Sequence, residues 1–93
     1  MYLARVVGET IATHRHPGLG ERKLLIVRRL GLDDIEQPGD IVALDVIGVG
    51  TGEKVLVVQD GSAVRTLFGN PDIPAQAVVV GVVDRVDLQP AVR

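Results

Sequence analysis

Seventeen valines stand against one Met, one Phe, one Tyr and no Trp in this chain, and no other feature constrains the fold as strongly. Two heavy atoms on Cβ stiffen χ1, which suits a pleated strand and costs a helix. An all-β chain is therefore expected. Five runs read as strands, near 2–13, 22–30, 40–47, 54–59 and 76–88. Turn chemistry separates them at Pro17-Gly18, Pro38-Gly39, Gly48 to Gly52 and Gly69-Asn70-Pro71-Asp72. Between the fourth and fifth runs, Ser62 suits a helix N-cap and Gly69 the position just past a helix end, which predicts one short helix. Five strands with one short helix before the last is the plan of a small closed β-barrel. The 93 residues leave room for a single domain, 1–93.

An isolated barrel should alternate apolar and polar along each strand. These strands do not. Leu24 and Ile26 oppose Leu25 and Val27, Val55 and Val57 oppose Leu56 and Val58, and Val78, Val80 and Val82 oppose Val79 and Val83. A sheet that is apolar on both faces needs a second cover, and one short helix is too little. Neighbouring copies of the chain are the expected cover, with the final strand and loops folding back over that face as the alternative.

Charge and composition exclude several classes of function. The net charge is −2, which supplies no attraction for phosphate backbones or anionic lipid. Without cysteine there is no disulfide framework, thiolate metal site or thiol nucleophile, in keeping with a reducing cytoplasm. Arg5 and Glu9 interrupt the N-terminal apolar residues too soon for a signal peptide or a membrane span, so a soluble, unprocessed chain is expected. The tail from Gln89 to Arg93, broken by Pro90, reads as irregular.

The motifs that could carry chemistry fall short one by one. Gly48-Val49-Gly50-Thr51-Gly52-Glu53-Lys54 looks like an anion loop, but Lys54 is followed by a strand and by neither Ser nor Thr. A glycine-rich turn between strands is the simpler reading. His14 and His16 would share one face of a strand, yet two ligands make no zinc site and no third is in view. Ser62 lacks the surroundings of a nucleophile elbow and suits helix capping. Asp33, Asp34, Glu36 and Asp40 lack the ligand order of a calcium loop and read as a solvated turn around Pro38-Gly39. No catalytic, cofactor-binding or metal-binding residue is assigned.

Several segments in succession carry a resemblance. They are Leu3-Ala4-Arg5-Val6-Val7-Gly8, Ala12-Thr13, Gly20, Lys23-Leu24-Leu25-Ile26-Val27, Val42 to Gly50, and Gly52-Glu53-Lys54-Val55-Leu56-Val57. Gly61-Ser62-Ala63-Val64-Arg65, Pro74 and Ala77 to Asp84 complete the series. Taken in order, they resemble the vertex proteins of bacterial microcompartments, which include the carboxysome, ethanolamine-utilisation and propanediol-utilisation counterparts. Two departures stand out: Val64 is bulkier than the small residue usual before Arg65, and the loop reads Gly48-Val49-Gly50 in place of Gly-Ala-Gly.

The resemblance implies an OB-like β-barrel assembled as a homopentamer at the corners of a microcompartment shell in the cytoplasm. Hexameric and pseudohexameric shell proteins would be its neighbours. Flat six-fold tiling cannot close, so a closed shell requires five-fold points. On this reading Gly48, Val49, Gly50, Thr51 and Gly52 line the five-fold opening, and Leu25, Val27, Val79 and Val83 form the subunit interface with Arg65 as a polar contact. An OB-type nucleic-acid-binding module is the alternative. Such modules stack bases on aromatic residues over a basic groove, and here only Tyr2 and Phe68 could serve.

Overall fold

The structure is a computed structural model and describes residues 1–11, 22–59 and 77–87. Among these residues the chain forms β1 (Tyr2–Thr10), β2 (Leu24–Leu30), β3 (Glu36–Asp45), β4 (Lys54–Gln59) and β5 (Ala77–Val82). They close into a barrel in the order β1-β2-β3-β5-β4. Every neighbouring pair is antiparallel except β3 with β5, which run parallel. The expected all-β barrel is thus present, and β4 has the expected bounds. The expected helix, the tail, His14, His16, Ser62 and Arg65 lie outside the described residues.

The expected bounds 2–13, 40–47 and 76–88 are corrected: β1 ends at Thr10, β3 spans Glu36–Asp45 and β5 ends at Val82. Pro38-Gly39 was expected to separate the second strand from the third, yet it lies inside β3. Arg28 pairs with Asp40 and Leu30 with Glu36, so a two-residue step along β2 faces a four-residue step along β3. The surplus forms a bulge, where a missing proline donor is tolerated and Gly39 takes a φ of 100°. The chain reverses earlier, where Gly31 N–H donates to Ile35 O and Asp34 N–H donates to Gly31 O, each at 3.0 Å. Asp34 occupies the left-handed region at φ 64°, which aspartate tolerates better than most residues.

The barrel interior is filled by alternate residues. Tyr2, Ala4 and Val6 of β1 meet Leu25 and Val27 of β2, Ala43 of β3, Val55 and Val57 of β4, and Ala77 and Val79 of β5. Alanine and valine suit the narrow lumen of a five-stranded barrel. Leu25, Val27 and Val79, expected at a subunit interface, therefore spend their side chains inside their own barrel, each 1% exposed or less. The registers Val6↔Val27, Leu25↔Ala43 and Val57↔Val79 set that direction. Val83, beyond β5, is half-buried, and its N–H donates to Lys54 O at 2.9 Å.

The opposite parity is apolar too. Leu44, Val78 and Val58, cross-strand partners in one row over β3, β5 and β4, are buried within the single chain. Leu3, Leu24, Ile26 and Leu56 are only half-buried, and Val42 is 53% exposed. The surplus apolar face read from the sequence is real, and the fold covers part of it.

Candidate assembly surface

Cross-strand register places three cations in a row over β4, β1 and β2. Lys54 lies opposite Arg5, and Arg5 lies opposite Arg28. Like charges in directly opposed positions destabilise a sheet. Carboxylates of the β2–β3 hairpin offset them. Arg28 donates from Nε and Nη2 to the two oxygens of Asp40 at 2.8 and 3.1 Å, and from Nη1 to Glu36 at 2.9 Å. Lys54 Nζ donates to Asp34 Oδ1 at 2.7 Å, and Arg5 Nε stands 4.0 Å from Glu36. Because Asp34 sits at the tip of the β2–β3 hairpin and Lys54 on β4, this contact passes over the outer face of β1.

These pairings shift titration in the expected senses. The Lys54 hydrogen bond holds the Asp34 carboxyl below its usual range, the Arg28 hydrogen bond does the same for Asp40, and Arg28 is held more firmly protonated by Asp40 and Glu36. Exposed ion pairs of this kind are individually weak. What was expected as a solvated acidic turn is therefore divided. Asp33 caps the hairpin by accepting from Ile35 N–H at 3.1 Å, whereas Asp34, Glu36 and Asp40 neutralise a basic row.

A second construction lies at the end of β3. Strand parity directs Asp45 inward, and its side chain is 1% exposed. Burying a carboxylate is costly unless its oxygens are satisfied. Oδ1 accepts the amides of Ile47 and Gly48, each at 2.9 Å, and Oδ2 accepts that of Val49 at 3.0 Å. Lys23 Nζ lies 3.8 Å from Oδ2 and donates to Val49 O at 2.8 Å. The loop is thereby folded inward, and Val49 joins the core at 1% exposure.

The rest of the loop is fixed against β1. Gly50 N–H donates to Glu53 Oε1 at 2.8 Å, Gly52 N–H to Val6 O at 2.7 Å, and Glu53 N–H to Gly50 O at 3.3 Å. Arg5 Nη1 donates to Gly52 O at 2.9 Å. The amides of Gly48, Val49, Gly50, Gly52 and Glu53, which an anion cradle would draw on, are thus committed within the chain. Gly48 and Gly52 adopt φ of 95° and 94°, which accounts for glycine at both turns. Although consecutive in sequence, β3 and β4 are not paired, because β5 lies between them. The loop is therefore a connection across one end of the barrel and not a hairpin.

Of the residues expected to line an opening, Gly48, Thr51 and Gly52 are exposed, Gly50 is half-buried and the Val49 side chain is withdrawn into the core. Asp45 and Lys23 were not singled out from the sequence. The signal was present in Asp45, the one charged residue between Ile41 and Gly50.

The chain matches the family described as "Ethanolamine utilisation protein EutN/carboxysome" over residues 1–84. It is 44% identical over 89 residues to the bacterial microcompartment shell vertex protein PduN of Salmonella typhimurium, covering 90% of this chain and 96% of that one. The chain belongs to the EutN/CcmL family. Among solved structures, an ethanolamine utilization protein EutN superposes with a TM-score of 0.87 at 40% identity, covering 95% of this chain and 91% of the other. The GrpN pentameric microcompartment shell protein of Rhodospirillum rubrum superposes with a TM-score of 0.82 at 35% identity, covering 96% and 100%. Membership in the EutN/CcmL family agrees with the resemblance read from the sequence. The matches favour the shell protein over the nucleic-acid-binding alternative.

Proposed function

We infer that this chain is a structural shell protein whose pentamers cap the vertices of a bacterial microcompartment. The similarity to shell vertex proteins over nearly the whole chain carries this reading. The outer face supports it: Leu24, Ile26 and the exposed Val42 over β2 and β3, and the Leu3–Leu56 pair over β1 and β4, are apolar positions that the barrel leaves incompletely covered. This parity, opposite to that of Leu25, Val27 and Val79, is the one we assign to neighbouring subunits, with Val83 and, from the sequence alone, Arg65 as further contacts. The backbone of Gly48, Gly50 and Gly52 with the Thr51 side chain is the proposed lining of the five-fold opening. The role is structural and not catalytic, its setting is the shell in the cytoplasm, and its further partners are hexameric and pseudohexameric shell proteins.

Native mass spectrometry of the purified protein tests the assembly. Five copies of the 9.9 kDa chain are expected, and a stable monomer or dimer would overturn the reading. Mixed with hexameric shell protein, the chain should convert open sheets or tubes into closed particles visible by electron microscopy.

A further inference from the structure

An odd-membered ring cannot be built from self-complementary contacts, so each subunit of a pentamer must present two different surfaces, one that docks and one that receives. The described residues offer one such pair. At the tip of the β2–β3 hairpin, Leu32 is 62% and Ile35 64% exposed. Beyond β3, Val46 is 43% and Ile47 51% exposed. These last two residues help line a depression of about 430 Å³ together with Arg22, Lys23, Asp45 and Gly48.

Both features are held rigid by the chain itself. The hairpin tip is closed by the Gly31–Ile35 and Asp34–Gly31 hydrogen bonds, by the Asp33 cap on Ile35 N–H and by the Lys54–Asp34 ion pair. The depression is shaped by the three amides that Asp45 accepts and by the bond from Lys23 to Val49 O. Ordering was completed on folding, so little conformational entropy remains to be lost when these surfaces meet. Exposed aliphatic pairs on preorganised loops are costly to leave in water and are suited to contact.

Charge and position complete the match. Asp33 is exposed on the tip and stands in none of the ion pairs that hold Asp34, Glu36 and Asp40. The depression carries Arg22 and Lys23, the latter 41% exposed at its side chain, against the one carboxylate of Asp45, 3.8 Å from Lys23 Nζ, so two cations face one anion in its lining. An acidic, aliphatic tip therefore faces a basic, aliphatic receptor. Lys23 immediately precedes β2 and the tip immediately follows it. At about 3.3 Å per residue the seven residues of that strand set the two surfaces roughly 20 Å apart. One subunit cannot bring them together, whereas a neighbour placed around a ring can.

We propose that the β2–β3 hairpin tip of one subunit, through Leu32, Ile35 and Asp33, docks into the Val46–Ile47 depression of the adjacent copy. The proposal rests on the pentamer reading and assigns its two unlike surfaces. Since the chain has no cysteine, a double variant, Ile35→Cys with Ile47→Cys, reports the contact directly. A disulfide needs Cα atoms within about 7 Å, so an intrachain bond is barred by the separation along β2.

Under mild oxidation the double variant should give a ladder of covalent multimers up to five on a non-reducing denaturing gel. Each single variant should stop at a faint dimer. In parallel, Ile35→Glu should keep the fold by circular dichroism and raise the dissociation concentration by about tenfold or more. A five-subunit mass in native spectra with no ladder from the double variant, or with an unaltered dissociation concentration for Ile35→Glu, would overturn the docking while leaving the pentamer intact. A monomeric mass for the unmodified chain would overturn both.

Discussion

The buried carboxylate of Asp45 accepts from the Val49 amide at 3.0 Å, and the Val49 carbonyl accepts from Lys23 Nζ at 2.8 Å. Val49 is thereby turned into the barrel core, and the glycine loop is fixed by a charge inside and a cation at its edge. The rigidity of this connection follows from polar satisfaction of a buried group and not from apolar packing alone.

Asp45→Ala should destabilise the fold. It strands three amides that now donate to an ionised group, at a cost of about 3 kcal/mol. Asp45→Asn should fall between the two, since its single amide oxygen can replace Oδ1 but its NH₂ cannot accept from Val49. Urea unfolding of the three proteins, followed by far-ultraviolet circular dichroism, orders them. Equal midpoints for Asp45→Ala and the unmodified chain would refute the assignment.

Val79→Asp should unfold the chain instead of merely dissociating it. Val79 is wholly buried inside the barrel, and an unpaired carboxylate there has no partner. Val42→Asp, at a position 53% exposed on the outer face, should retain the strand signal in circular dichroism. Loss of secondary structure in the second variant and not the first would reverse the parity described above.

Acid should weaken the hairpin. Asp34 and Asp40 both titrate below the usual 3.8 when folded, so the unfolded chain binds more protons between the two values. Their stabilisation is complete above the unfolded value and is lost as pH falls through the lower folded values. Denaturant midpoints measured from pH 7 down to pH 2 should fall less steeply below about pH 4 in Asp34→Asn and Asp40→Asn than in the unmodified chain. Added salt should narrow the difference, because both carboxylates are solvent-exposed.

How much of this was legible in the sequence depends on the range of the interaction. The valine excess and the turn residues between the apolar runs sufficed for five strands and for the bounds of β4, because strand formation is favoured by neighbouring residues. Pro38-Gly39 misled for the opposite reason. A bulge and a turn use the same residues, and only the pairing of Arg28 with Asp40 and of Leu30 with Glu36 distinguishes them. The cation row of Lys54, Arg5 and Arg28 was likewise hidden, since register across three strands is not written in any one of them.

By itself the sequence determined that the chain is a β-barrel with apolar residues on both strand faces, and its ordered motifs determined the family. Only the tertiary structure decided which face lies inside. Closing the barrel β1-β2-β3-β5-β4 turned Leu25, Val27 and Val79 inward and left Leu24, Ile26 and Val42 outside. Two parities of equal hydrophobicity are indistinguishable until strands from distant parts of the chain pair and curl, and the interior then takes the set whose side chains fit its narrow lumen.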